Sequence, residues 1–223
     1  HDPLVNDLFA RGFALSPRYC PYRRAQRPEF SFRRIAESDF GSIFEVVAGV
    51  SPRLVDMLMQ RALPLPTPAR PAGVVIRPQV AGDSAALGAL YWDSYPKGVA
   101  AVDLEDAIEE MEGVFEGEYG TPVESASLVV TDNAGALLGC IQTVTSPPWE
   151  GIPAVPFVIE LFVHPGQRRR GLGSLLLLTA AQAVHEEGWE SIALNVQEET
   201  AAEATHLYRA LGFTEITPAA VES

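Results

Sequence analysis

Cysteine is scarce: the chain has two, Cys20 and Cys140, too few and too unlike in setting to form a disulfide framework. Cys140 lies in an apolar strand-like run, where a buried thiol is the usual outcome, and a reducing, cytoplasmic setting is expected. No apolar run reaches the roughly 18 residues that a membrane span needs, which excludes a spanning segment, and no secretory signal is visible. The chain begins with His1 rather than Met, so a preceding targeting segment stays open. Positive charge is in deficit. A net charge of −13 argues against a nucleic-acid binder, which needs a basic face. Metal-ligand spacing is absent too: His164 precedes Pro165 at a strand end, and His185 and His206 fall on helical stretches without partners, so no metal is expected.

An apolar content of 47% in 223 residues is enough for one cored domain or for one domain with an extension. The charge is unevenly placed: residues 1–72 hold 10 Arg against 7 acids, and residues 73–223 hold 6 basic against 22 acidic residues. Such an acidic body favours cationic substrates through its long-range field, and serves solubility equally well. The Pro-rich stretch 64–73, PLPTPARPAG, reads as a linker. It divides an Arg- and Pro-rich extension, 1–72, from a domain, 73–223. Within the extension, FGSIFEVVAGV and PRLVDMLMQRAL read as short helices.

Beyond the linker the periodicities alternate. GVVIRP reads as a strand. DSAALGALYWDSY reads as a helix capped by Asp83 or Ser84, and DLEDAIEEMEGVF as a helix with Leu104, Ile108, Met111 and Phe115 on one face. SASLVVTD and ALLGCIQTVT form a hairpin around NAG. FVIELFVHP is apolar enough for the middle of a sheet. A Leu-rich helix closed by Gly188, the strand ESIALNVQ, the helix TAAEATHLYRALGF and a short strand FTEIT follow. The pattern is mixed α/β, with mostly antiparallel pairs and at least one strand–helix–strand unit. FRRIAESDF and IRPQVAGDS both place an Arg six residues before an Asp at a strand-to-helix change.

The stretch VHPGQRRRGLGSLLLL, 163–178, concentrates chemistry. The first N–H groups of a helix lack internal partners, and with the helix dipole they attract anions. Gly171 and Gly173 let a ligand approach the backbone, and Arg168, Arg169 and Arg170 suit phosphate oxygens. The loop is not a P-loop, because G-K-[ST] is missing. It is not a dinucleotide fingerprint, because the third glycine is missing.

RRRGLG (168–173) fits the [QR]-x-x-G-x-[GA] pattern of the GNAT superfamily of N-acetyltransferases, between the central strand ELFVHP and a Leu-rich helix. A second match, Ala204, Leu207, Tyr208, Gly212 and Phe213, follows the strand IALNV. The chain resembles that superfamily over residues 73 to about 217. The resemblance implies a mixed, mostly antiparallel sheet flanked by helices, with residues 1–72 as an appended helical and Pro-rich extension. It implies transfer of an acetyl group from acetyl-CoA to a small-molecule or peptide amine by direct attack in a ternary complex. Backbone groups near Phe162 and Val163 would hold the pantetheine arm. Residues Arg168, Arg169, Arg170, Gly171, Leu172, Gly173 and Ser174 would hold the pyrophosphate. Tyr208 would lie against the cofactor and act as general acid. Glu160, the only acid within the apolar central strand, is the candidate base, with Glu150 and Glu198 in reserve. Another acyl donor on the same fold, or a CoA-binding module without turnover, are the alternatives.

Two departures stand out. The position seven residues before Tyr208, often Asn in the superfamily, is Ala201, with Thr200 beside it as a cap. Only ten residues follow Phe213, room for one short strand where the superfamily has two. The sheet edge is therefore expected to be completed by the N-terminal extension, with EFSFRRI as a candidate, or by a second copy in a homodimer. Trp149, on the Pro-rich loop before the central strand, reads as a loop anchor ahead of a substrate contact.

Overall fold

The computed structural model of the chain describes residues 57–217 apart from 69, 98–99, 150 and 197–201. The strands are β1 (Met57–Ala62), β2 (Val74–Pro78), β3 (Thr121–Pro122), β4 (Leu128–Asp132), β5 (Leu137–Thr145), β6 (Phe157–Val163), β7 (Ser191–Val196) and β8 (Thr214–Glu215). The α-helices are α1 (Ser84–Ser94), α2 (Leu104–Glu116), α3 (Leu172–Glu186) and α4 (Ala202–Ala210). One sheet runs β2-β4-β5-β6-β7-β1-β8, with β3 added against β5. Every pairing is antiparallel except β6 with β7.

Residues 57–62, in the stretch read as a helix, form a strand. β1 enters between β7 and β8 and pairs with both, so the extension side of the linker does supply a sheet strand. EFSFRRI lies outside the described residues. Met57, Leu58 and Met59 are all buried, so both faces of β1 are covered, and β7 and β8 pair with its two edges. A strand covered on both faces shows no alternation, and Met and Leu are good helix formers, which is why the stretch imitates a helix.

The turn into α1 explains the Arg-to-Asp spacing. Arg77 Nη1 and Nη2 each donate to an Asp83 carboxylate oxygen at 2.8 Å, and Asp83 also accepts the Val80 N–H at 2.9 Å. The Arg77 hydrogen bonds hold the Asp83 carboxyl below the usual range. Those bonds occupy the side chain, so Asp83 sits at the N-cap of α1 without capping it. The earlier FRRIAESDF lies outside the described residues. α2 is capped by Asp103, whose carboxylate accepts the Asp106 N–H at 2.9 Å, and closes on left-handed Gly117.

Two cores flank the sheet. One joins Leu172, Leu175, Leu176 and Leu177 of α3 to Ile141, Val158, Leu194 and Tyr208. The other joins α1 and α2 to Val129, Cys140 and Phe162. Each fully buried Leu contributes roughly 1.5–3 kcal/mol of burial, so the Leu run is the packed spine of the fold. Gly88 lets α1 meet α2. A Cβ there would lie 2.5 Å from Ile108 Cγ1 and 2.6 Å from Ile108 Cα, and backbone cannot yield at that distance. Gly88→Ala is expected to destabilise the protein by about 1–3 kcal/mol, read as a lower urea midpoint with unchanged slope.

Candidate active site

The site begins where two strands part. β6 and β7 pair at only two positions, Phe157 with Ala193 and Val158 with Leu194. Beyond them β7 stays with β1, as Leu58 pairs with Asn195 and Met57 with Val196. β6 stays with β5, after a register shift that leaves Ile159 without an opposite residue. A wedge opens between β6 and β7. Strand alternation turns the backbone of Phe162 toward Cys140, and the His164 N–H donates to Leu138 C=O at 2.9 Å in the same phase. Leu161 and Val163 therefore present their N–H and C=O groups to the wedge. The sequence reading paired Phe162 with Val163. The register assigns the wedge to Leu161 and Val163, and gives the Phe162 side chain to the α1–α2 core.

Glu160 projects to the α1–α2 face of β6, opposite Gln142. The Tyr95 hydroxyl donates to its Oε2 at 3.1 Å. Burial pushes the Glu160 carboxyl up to about 8. Tyr95 is the residue after α1, extended because Pro96 follows it. Its ring meets Tyr91 edge-on at 5.2 Å, and Tyr91 meets Phe162 at the same distance. Tyr208, buried on α4, packs its ring 5.9 Å from Phe213. Burial pushes its phenol well up, and Tyr95 and then Glu160 add to that shift through their charge. The fold thus brings Glu160, Tyr95 and Tyr208 into electrostatic contact from three separate stretches. Tyr95 was not singled out in the sequence. Its only local signal is a tyrosine before the proline that ends a helix.

The loop from β6 to α3 is built from left-handed turns. Arg169 has φ of 63° and Gly171 has φ of 76°. Gly171 is the N-cap of α3 and no side chain caps it, so no side chain competes for the first N–H groups of the helix. Open space surrounds the position of a Gly171 Cβ, and a Gly173 Cβ would meet only Leu207 at 3.6 Å. The three arginines are not equivalent. Arg170 donates to Gln167, and Arg168 donates to the carbonyls of Ser94 and Val163. The Arg168 guanidinium, expected at phosphate, is turned toward the end of α1. His164 Nδ1 accepts the Gly166 N–H at 3.1 Å, a turn-closing role. Trp149 packs between Tyr119 and Phe157, each ring 6.3 Å away, as a loop anchor. Glu150, Glu198, Thr200 and Ala201 lie outside the described residues.

A mostly antiparallel sheet with one parted parallel pair, and an uncapped helix at the mouth of the gap, is the fold of the GNAT acetyltransferases. The sequence model of the acetyltransferase (GNAT) family matches residues 85–213, more than half of the chain, and the chain belongs to that family. No curated protein matches by sequence. Among solved structures, the chain is similar in fold to a GCN5-related N-acetyltransferase from Sphaerobacter thermophilus: TM-score 0.56 at 19% identity, covering 72% of this chain and 48% of that one. It is also similar to the aminoglycoside N-acetyltransferase AAC(6')-Iy in complex with CoA: TM-score 0.51 at 17% identity, covering 69% of this chain and 95% of that one. The chain spans about half the length of the Sphaerobacter protein. Among the described residues, no helix is long and apolar enough to cross a membrane.

Proposed function

We propose that the chain transfers an acetyl group from acetyl-CoA to an amine within a ternary complex. The observation that supports this best is the uncapped, glycine-lined start of α3 at the mouth of the β6–β7 wedge. When bound there, acetyl-CoA supplies an activated thioester. The N–H groups of residues 169–174 suit its pyrophosphate. Leu161 offers its N–H and C=O, and Val163 its N–H, to the pantetheine arm, and an N–H in the wedge stabilises the negative charge that grows on the attacked carbonyl oxygen. Glu160 takes the proton of the attacking amine. Tyr208 holds a proton for the departing sulfur. The AAC(6')-Iy fold has also been solved with a bisubstrate analogue of CoA and an acetylated neamine, which supports an amine as acceptor here. The acidic body leans toward cationic amines. Two proton-holding groups near enough for Glu160 to raise the Tyr208 phenol through its charge favour turnover over a binding module.

Two measurements test the reading together. The chain should release free thiol from acetyl-CoA in the presence of a primary-amine panel, and should bind CoA by calorimetry. Ser174→Asp separates a phosphate site from an ordinary helix start. An acid in the first turn favours the helix dipole and leaves the melting temperature equal or higher. The same charge repels pyrophosphate and is expected to weaken CoA binding by at least tenfold. An unchanged CoA affinity in Ser174→Asp would remove the site from α3.

A further inference from the structure

We infer that Arg168 is a positioning residue that ties the loop before α3 to the Tyr95–Glu160 pair, so that occupation of the loop steadies the acceptor side. The inference rests on the CoA reading above. Arg168 Nη2 donates to the Ser94 carbonyl, and its Nε donates to the Val163 carbonyl at 3.3 Å. Ser94 ends α1, whose last turn carries no basic residue of its own. The last carbonyls of a helix lack internal partners and carry the negative end of the dipole. A guanidinium from another element therefore supplies both the missing donor and the complementary charge. The next residue is Tyr95, whose hydroxyl donates to Glu160.

Three contacts thus run in series, from the loop to the end of α1, from Ser94 to Tyr95 through one peptide, and from Tyr95 to Glu160. The second Arg168 contact joins the same guanidinium to the end of β6, at a carbonyl facing the wedge. Arg168 thereby spans donor side and acceptor side while its charge is spent on carbonyls. Arg170, by contrast, bonds only within its own loop, to Gln167. A ligand that fixes residues 169–174 fixes the anchor of Arg168, and the end of α1 becomes more ordered with it.

Hydrogen exchange of the full chain, with CoA as the probe, tests this directly. In the wild type, CoA should slow amide exchange at residues 168–174 and also at 92–97. In Arg168→Met, which keeps the stem and loses the guanidinium, CoA should bind within about threefold of wild type and still protect 168–174. Exchange at 92–97 should be at least threefold faster without ligand and should no longer respond to CoA. A loss of CoA affinity greater than tenfold in Arg168→Met would make Arg168 a phosphate ligand and overturn the inference. So would CoA-dependent protection at 92–97 that survives the substitution. A wild type that binds no CoA would overturn the functional reading and this coupling with it. The ligand-free rates at 92–97 in Arg168→Met distinguish that outcome from failure of the Arg168 contact itself.

Discussion

Tyr208→Phe is expected to lower turnover with saturating acetyl-CoA by about 10²- to 10³-fold, while the acetyl-CoA Kd stays within about threefold. The substitution removes one oxygen from a ring that is 6% exposed and packed on Phe213, so the packing survives. What it removes is a proton held next to the wedge. The Tyr208 phenol is raised by burial first, and the charges of Tyr95 and Glu160 add to the shift. That coupling gives the phenol a sense of reaction progress. While Glu160 is ionised, its charge holds the Tyr208 proton more tightly. Once Glu160 has taken the proton of the amine, that contribution disappears and Tyr208 becomes the stronger acid, at the moment when the sulfur departs. Steady-state kinetics and calorimetry on one preparation check the split. Equal losses in turnover and affinity, or turnover kept in Tyr208→Phe, would remove Tyr208 from the chemistry.

The parts of the site that were legible in the sequence are those in which one stretch of chain carries the whole signal. β6 is a continuous apolar run with a single acid, so Glu160 stood out against its neighbours. The α3 start combines glycine, arginine and a Leu run within 16 consecutive residues, and its geometry follows from helix termini alone. Tyr208 stands out only through the resemblance, as the tyrosine of the match that runs from Ala204 in α4 to Phe213 just beyond it.

The illegible parts are assembled across the sheet. β1 reads as a helix because burial on both faces erases alternation, and its pairing with β7 lies more than a hundred residues away in sequence. Yet β1 shapes the site: it holds Asn195 and Val196 of β7 on the far side while β6 stays with β5, and the wedge exists because the two strands are held from opposite edges. The partnership of Tyr95 with Glu160 spans 65 residues and has no sequence signature. Arg168 and Asp83 each have a partner besides the task their position suggests: Arg168 donates to the Ser94 carbonyl, which no local pattern signals, and Asp83 accepts from Arg77, the arginine six residues before it, and does not cap α1.

Glu160→Gln is expected to cost about 10²-fold in kcat/KM for the amine at pH 8.5, and only a few-fold at pH 6. The reason is the sign of the shift. Burial raises the Glu160 carboxyl to about 8, so below that pH most of it carries a proton and cannot accept another. The wild-type rate should climb through pH 7 and level off above about 8, whereas the variant retains only the limb set by the amine itself. The same shift makes a stability prediction in a second observable. A carboxyl whose folded pKa is raised binds protons more tightly in the folded state, so its contribution is fully present below the unfolded value of about 4.5. It is lost as pH rises through about 8. Gln has no proton to lose. The melting temperature of Glu160→Gln relative to wild type should therefore rise between pH 5 and pH 9, while its activity relative to wild type falls over the same range. Opposite trends in the two ratios identify one ionising group as the source of both. A mutant-to-wild-type rate ratio that is flat from pH 6 to pH 8.5 would assign the base to a solvent path or to another residue. A flat melting-temperature difference would show that the Glu160 carboxyl is not held neutral by its surroundings.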